Sequence, residues 1–272
     1  MRRVPPGDVA VVFGSGLSVV PDGAAVEEEV SYEELGWPAT EVAGHPNRLL
    51  AIGWTLASGR RLRALLAFGR PHLYEGWERA ELERPVRDLA AAGVPALVAT
   101  NAAGSLGPGI AAGTALVVTE LIDLQRAPRD RAPVLRVAAD TEAARLAAAL
   151  APALPAGTGR YVAVPGPQYE TPAEAAWLRS LGEVVGMSTA PEVACALALG
   201  LPVCAVSLVV NVSGASLDHA EVVAAAGRVA GGLARGLGPL VDAFLSGRTS
   251  PAASRSGDRE SGEGESSDEE SP

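Results

Sequence analysis

Two segments concentrate chemistry in few residues. Pro165-Gly-Pro-Gln-Tyr169-Glu170-Thr-Pro-Ala-Glu174 and Gly186-Met187-Ser188-Thr-Ala-Pro-Glu192 set a phenol, acids and hydroxyls between glycines and prolines. That is the make-up of a rigid loop presenting polar groups to a ligand. Gly14-Ser15-Gly16-Leu17 follows an apolar run, and its glycines free backbone N–H groups to converge on an anion. It is not the dinucleotide fingerprint, because Val19 stands where a third glycine is required. In Gly69-Arg70-Pro-His72-Leu-Tyr74-Glu75-Gly76 an extended backbone would put Arg70, His72 and Tyr74 on one face. A bidentate cation, an imidazole and a phenol together suit an oxyanion and a sugar. Glu75 then falls on the other side or past the bend, where it would fix an Arg or a His by a charge-assisted bond. Thr100-Asn101-Ala102-Ala-Gly104 supplies small residues that let backbone approach a ligand.

Other chemistries are poorly served. All 22 basic residues are Arg, so a Schiff-base lysine, a Walker phosphate loop and a lysine general base are excluded. Gly186-Met-Ser188-Thr-Ala190 resembles a nucleophile elbow, but Asp218 and His219 are adjacent in the chain and ill-suited to a relay. Glu170 and Glu174 are spaced as candidate paired glycosidase carboxylates, yet Thr171-Pro-Ala-Glu174 reads as a helix start with a capping box, leaving Glu170 alone in its loop. Of the three histidines, His45 and His72 lie in polar or Gly-containing clusters, and His219 opens a helix capped by Asp218. Cys195 and Cys204 lie in apolar segments without metal-ligand spacing and read as buried reduced thiols.

The elements that must carry these loops follow a repeated grammar. Val9 to Phe13, Arg61 to Phe68 and Ala96 to Thr100 are apolar runs ending in Gly-rich or small-residue loops, and each reads as a buried strand feeding a loop. Ala-rich stretches with helical spacing lie around Arg84 to Ala92, Thr141 to Leu150 and Glu221 to Leu237. Val193 to Val210 carries no charge and nearly reaches bilayer length, but Gly200 and Pro202 interrupt it, so it resolves into a helix from about Pro191 to Leu199 and a strand Val203 to Val210. Alternating strands and helices define an α/β protein with ligand groups collected at strand ends.

A chain of 272 residues with 48% hydrophobic content is read as one domain over residues 1–248. Residues 249–272 hold seven acids against two arginines and no apolar periodicity, the composition of a disordered acidic tail. The net charge of −10 argues against a nucleic-acid partner. Prolines 5 and 6 interrupt the N-terminus before any long apolar stretch, so a signal peptide is not expected, and a cytoplasmic protein without membrane partners is.

Seven segments in order carry a resemblance to a known family: Gly14 to Leu17, Gly44-His45, Gly69 to Gly76, Thr100 to Gly104, Gly166 to Glu174, Val185 to Glu192, and Asn211 to Val222. Together they resemble the trimeric purine nucleoside phosphorylases, within the nucleoside phosphorylase and methylthioadenosine phosphorylase group. The resemblance implies a three-layer α/β fold with a central mixed sheet flanked by helices, a homotrimer, and phosphorolysis of purine (deoxy)nucleosides to free base and (deoxy)ribose 1-phosphate. It implies no metal or organic cofactor, with inorganic phosphate as co-substrate. By position, Ser15, Arg70, His72, the Ala102 N–H and Ser188 would hold phosphate. Tyr74 and Met187 would line the ribose, His219 would bind its 5′-hydroxyl and Tyr169 would stack near sugar and base. Glu170 would accept from purine N1–H and the 2-amino group, and Asn211 would serve N7 and O6 as charge builds on the leaving base. Glu170, Asn211 and His72 are thus the expected catalytic set. Asn211 favours 6-oxopurines, where methylthioadenosine enzymes carry an Asp. Val210 replaces the Thr of many relatives, Ser105 a usual second Gly, and Glu183 a usual Asp. The remaining alternatives are a methylthioadenosine-type enzyme and a purine-binding module without turnover.

Overall fold

Ten strands among the described residues join into one mixed sheet: β1 (Val9–Phe13), β2 (Ala24–Ser31), β3 (Arg48–Thr55), β4 (Arg61–Phe68), β5 (Leu97–Ser105), β6 (Ala115–Asp123), β7 (Val134–Arg136), β8 (Ala156–Ala163), β9 (Val184–Gly186) and β10 (Val203–Val212). Helices α1 (Tyr32–Leu35), α2 (Arg79–Leu82), α3 (Arg84–Ala91), α4 (Asp140–Leu150), α5 (Pro172–Leu178), α6 (Ala190–Ala198) and α7 (His219–Ser246) complete the fold. The computed structural model describes residues 1–42, 45–107, 109–125, 133–214 and 219–248, with the side chains of 219–223 outside that description. Gly44, Asp218 and the expected tail 249–272 fall outside it.

Alternation in β1 makes the layers. Val9, Val11 and Phe13 face one core, shared with Leu146 of α4 and Leu233 and Leu237 of α7. Ala10 and Val12 face the other, with Val86 and Leu89 of α3 and Val193 of α6. A strand buried on both faces must read as a continuous apolar run, as Val9–Phe13 does. Helices therefore flank a central mixed sheet, as expected. One feature goes beyond that expectation: β10 pairs with both β5 and β6, so β5, β10, β6, β8 and β9 close on themselves as a small barrel.

β1 runs parallel to β4 and to β5, and β5 runs parallel to β10. Their carboxyl ends thus lie side by side, the usual place for a ligand in an α/β protein. The apolar run at Ala96–Thr100 continues as strand through Ser105, so Asn101 to Gly104 are strand residues rather than the expected loop. The pairing supplies the reason, since Asn101 to Ser105 are in register with Ser207 to Val212 of β10. The segment 193–210 divides as expected, into α6, a turn and β10. No helix among the described residues is long and apolar enough to cross a membrane.

Candidate active site

A cavity of about 620 Å³, its open mouth included, lies over these strand ends. Of the expected residues, Ser15, Arg70, His72, Tyr74, Ala102, Tyr169, Glu170, Met187, Ser188 and Asn211 all line it. His219 begins α7, and its side chain lies outside the described residues.

One end is built for an anion. Arg70 leaves the end of β4 and is only 2% exposed. Its Nε donates to Glu192 Oε1 at 2.6 Å and its Nη1 to the Thr100 carbonyl at 2.7 Å. Its Nη2 is buried with no hydrogen-bond partner among the described residues. A buried guanidinium donor is costly to leave unsatisfied, and Arg70 lines the cavity, so an acceptor bound at this end would lie beside its guanidinium. Ser188 Oγ stands 3.5 Å from Arg70 Nη1, and the peptide of Ser188 is held from both sides by Tyr161: the phenol donates to its carbonyl at 3.1 Å and accepts from its N–H at 3.3 Å. Burial pushes the Tyr161 phenol up to about 12, so it remains a neutral donor. Thr189, with φ 73°, turns the chain sharply from β9 into α6. The strand, turn and helix of a nucleophile elbow are therefore present, but Ser188 Oγ contacts Arg70 and Thr189 rather than a base.

Ser15 is oriented by His45. The Arg70 backbone N–H donates to His45 Nδ1 at 3.2 Å, so the neutral ring carries its proton on Nε2, which lies 2.8 Å from Ser15 Oγ. Ser15 thereby accepts from the ring and keeps its own O–H for a ligand. Gly14 is required for the approach of β1 to β5: a Cβ there would stand 2.8 Å from Asn101 Cα and 3.1 Å from the Ala102 nitrogen.

His72 faces the same end by a route the extended reading missed. β4 stops at Phe68, and Leu73–Glu75 forms a 3₁₀ turn, so Arg70, His72 and Tyr74 do not share a strand face. They converge because the turn stacks Tyr74 on the His72 ring, with centroids 4.7 Å apart and planes at 13°. Glu75 fixes a His, as anticipated: its Oε1 accepts from the His72 backbone N–H at 2.7 Å and pairs with His72 Nδ1 at 2.9 Å, while Thr40 donates to Oε2 at 2.6 Å. Nδ1–H points to the carboxylate, which leaves His72 Nε2 for the cavity. Burial would raise the Glu75 pKa, but the hydrogen bonds from His72 and Thr40 outweigh it and hold it below the ordinary carboxylate value. A depressed carboxylate pKa contributes stability present above the unfolded-state value and lost as pH falls through the folded one. Glu75→Gln should therefore lower the urea midpoint at pH 7 and narrow the gap to wild type as pH falls below about 4.5; equal midpoints at pH 7 would refute the pairing.

The other end suits a heteroaromatic ring with hydrogen-bonding edges. Glu170 and Tyr169 come from the loop between β8 and α5, which the expected capping box starts: Thr171 Oγ1 accepts from the Glu174 N–H and Glu174 Oε2 accepts from the Thr171 N–H. Glu170 is not alone, because Ser213 donates to its Oε2. Asn211 arrives by a bulge in β10, where the register with β5 shifts between Val209 and Asn211. The bulge makes Val210 the extra residue and re-aims Asn211. Between the two ends, Gln125 Nε2 donates to the Met187 carbonyl at 2.9 Å and the Val164 carbonyl at 3.1 Å, tying the Met187 turn to the start of the Tyr169 loop.

The sequence alone assigns no role to Glu192 or His45 and does not single out Tyr161 or Ser213. A lone acid at the start of the apolar helix Ala190–Ala198 was a usable signal, since such an acid is buried only when paired and the chain's cations are all Arg. Among the described residues, no group of three or more His, Cys, Asp or Glu side chains is arranged to hold a metal ion.

This combination of sheet, strand-end cavity and anion pole belongs to a known class. The chain is a member of the phosphorylase superfamily, whose family model matches residues 13–241. Within that class its relatives are narrower. Purine nucleoside phosphorylase 1 of Bacillus subtilis (strain 168) is 34% identical over 242 residues, covering 82% of this chain and 88% of that protein. The purine nucleoside phosphorylase of Mycobacterium leprae (strain TN) is 39% identical over 232 residues, 80% of this chain and 82% of that protein. Among solved structures, a schistosoma purine nucleoside phosphorylase in complex with hypoxanthine superposes with a TM-score of 0.71 at 29% identity, covering 87% of this chain and 90% of that one.

Proposed function

We propose that the protein is a purine nucleoside phosphorylase, a pentosyltransferase that moves the (deoxy)ribosyl group of 6-oxopurine nucleosides from base to inorganic phosphate. The observation that carries this reading is the buried, unpartnered Arg70 Nη2 at one end of a cavity whose other end holds Glu170 and Asn211. The relatives named purine nucleoside phosphorylase, and the schistosoma enzyme with its hypoxanthine, support the substrate class.

In this reading phosphate is held by Ser15, Arg70, the Ala102 N–H and Ser188 as donors, and by His72, whose Nε2 donates in the imidazolium and otherwise accepts from a phosphate hydroxyl. Tyr74, Met187 and Tyr169 enclose the sugar, and His219 takes its 5′-hydroxyl. A phosphate oxygen forms the bond to C1′ as the C1′–N9 bond breaks, and the electron pair of that bond passes into the purine. Glu170 accepts from N1–H and the 2-amino group, while Asn211 meets N7 and O6, where the charge accumulates. The sugar is oxocarbenium-like at the transition state, so the protein's work is charge stabilisation at both ends. No metal or organic cofactor takes part. A homotrimer in the cytoplasm serving purine salvage is the setting we propose for this activity.

Base release from inosine, guanosine, adenosine and methylthioadenosine, with and without inorganic phosphate, tests the reading. Phosphate-dependent release of hypoxanthine and guanine is expected; purine binding without cleavage would make the protein a binding module. Asn211 suits the 6-oxo bases, because its amide N–H can donate to O6, whereas an Asp there, as in the methylthioadenosine alternative, could only accept from a 6-amino group. Asn211→Asp should accordingly shift the guanosine-to-adenosine ratio of kcat/KM by about 10²-fold toward adenosine. Unchanged relative rates would remove Asn211 from base recognition.

A further inference from the structure

We infer that Ser213 is a positioning residue that sets purine recognition through Glu170, an inference that rests on the phosphorylase reading. Val210 brings no hydrogen-bonding group to the base end of the cavity, and Ser213, three residues on, brings a hydroxyl to the carboxylate itself. Ser213 is 9% exposed. Its backbone N–H donates to the Ser105 carbonyl at 2.8 Å, which ties the chain just past β10 to the end of β5. The approach is close: a Cβ on Gly104 would stand 3.3 Å from Ser213 Cβ and 3.4 Å from Asn211 Nδ2. Ser213 is thus held by the same strand ends that position Asn211, and its hydroxyl reaches across to the loop that carries Glu170. The two base-recognising side chains, 41 positions apart in the sequence, are joined through it.

The direction of the bond follows from chemistry. An ionised carboxylate only accepts, so Ser213 Oγ–H donates to Glu170 Oε2. It occupies one of about four lone-pair directions and orients the carboxylate plane. The remaining directions can only accept. A base edge carrying N–H groups side by side, as at N1 and the 2-amino group of guanine, pairs with an oriented carboxylate at two points. Hypoxanthine presents N1–H alone there, and adenine N1 presents a lone pair that repels it. Holding the carboxylate plane therefore favours guanine most and excludes adenine, with no direct contact between Ser213 and the base. Nothing in this arrangement touches the phosphate end.

The experiment is steady-state kinetics of Ser213→Ala, Ser213→Thr and Glu170→Ala/Ser213→Ala, with both nucleoside and phosphate varied. Ser213→Ala should raise the KM for guanosine about tenfold, the scale of one hydrogen bond to a charged group, and raise it less for inosine. The KM for phosphate should stay within about twofold of wild type, as expected for an additive, uncoupled site. Ser213→Thr keeps the hydroxyl and should restore guanosine binding. Adding Ser213→Ala to Glu170→Ala should cost nothing further, because the hydroxyl acts only through the carboxylate. Wild-type kinetics in Ser213→Ala, an equal rise in the phosphate KM, or a loss that persists in the Glu170→Ala background would overturn the positioning role while leaving the phosphorylase reading intact. A wild-type protein that neither binds nor cleaves purine nucleosides would overturn both.

Discussion

Replacing Glu170 with alanine should lower kcat/KM for inosine and guanosine by about 10²–10³-fold, the range seen when one preorganised hydrogen-bonding group is removed from a site of developing charge. The carboxylate stands half-buried at the base end of the cavity, oriented by Ser213 and carried on the loop that the Thr171–Glu174 capping box terminates. In the proposed reading its contact with the base is charge-assisted and would persist as the purine leaves, so its loss should fall on the transition state as well as on binding. Glu170→Gln separates charge from shape. The amide oxygen can still accept from Ser213, but the amide N–H₂ then meets the N1–H of the base, donor against donor. Its deficit should match that of alanine rather than lie near wild type. Phosphate affinity, measured by product inhibition or by protection against thermal unfolding, should change little in either variant. Near-normal turnover in Glu170→Ala would sink the base-binding assignment.

The parts of the site legible in the sequence are those in which a local backbone rule and a chemical group coincide. Gly14-Ser15 after β1 and Thr171 to Glu174 ahead of α5 were readable because short-range chemistry dictates both. The apolar run of β5 is legible in the sequence, but its last residues read locally as a loop. Asn101 and Ala102 stay in the strand through pairing with β10, more than 100 positions away, which no local pattern encodes. Distance along the chain likewise hides the ion pair of Arg70 with Glu192, 122 positions apart, and the hydrogen bond of Ser213 with Glu170, 43 apart. Tyr74 fails differently. A period of two does not hold in a segment that Gly69 and Pro71 remove from the strand, and the 3₁₀ turn at Leu73–Glu75 reaches the same convergence by stacking. The family resemblance supplied the positions that distance concealed. It did not supply the contacts that hold them, which are this chain's own.

The second large effect concerns those contacts. Arg70→Met removes the unpartnered Nη2 and should lower kcat/KM for phosphate by about 10³-fold, roughly 4 kcal/mol of transition-state stabilisation. It should also destabilise the fold, because Glu192, 7% exposed in α6, loses its partner at 2.6 Å. Breaking a buried pair by removing one member costs about 3–5 kcal/mol, since the remaining charge stays desolvated. A fall in activity alone would therefore be ambiguous between a lost phosphate ligand and a collapsed site. Arg70→Met/Glu192→Gln resolves it: the neutral amide no longer demands a cation, so much of the thermal stability should return. Activity should not return, because no side chain replaces the guanidinium facing the anion. The Glu192→Gln single variant completes the cycle. It leaves Arg70 charged and half-supported, still able to bind phosphate but free to shift, and should lose far less activity than Arg70→Met. Recovery of phosphate-dependent turnover together with stability in the double variant would show that Arg70 is there for the ion pair and that the anion is held by Ser15, His72 and Ser188 without it.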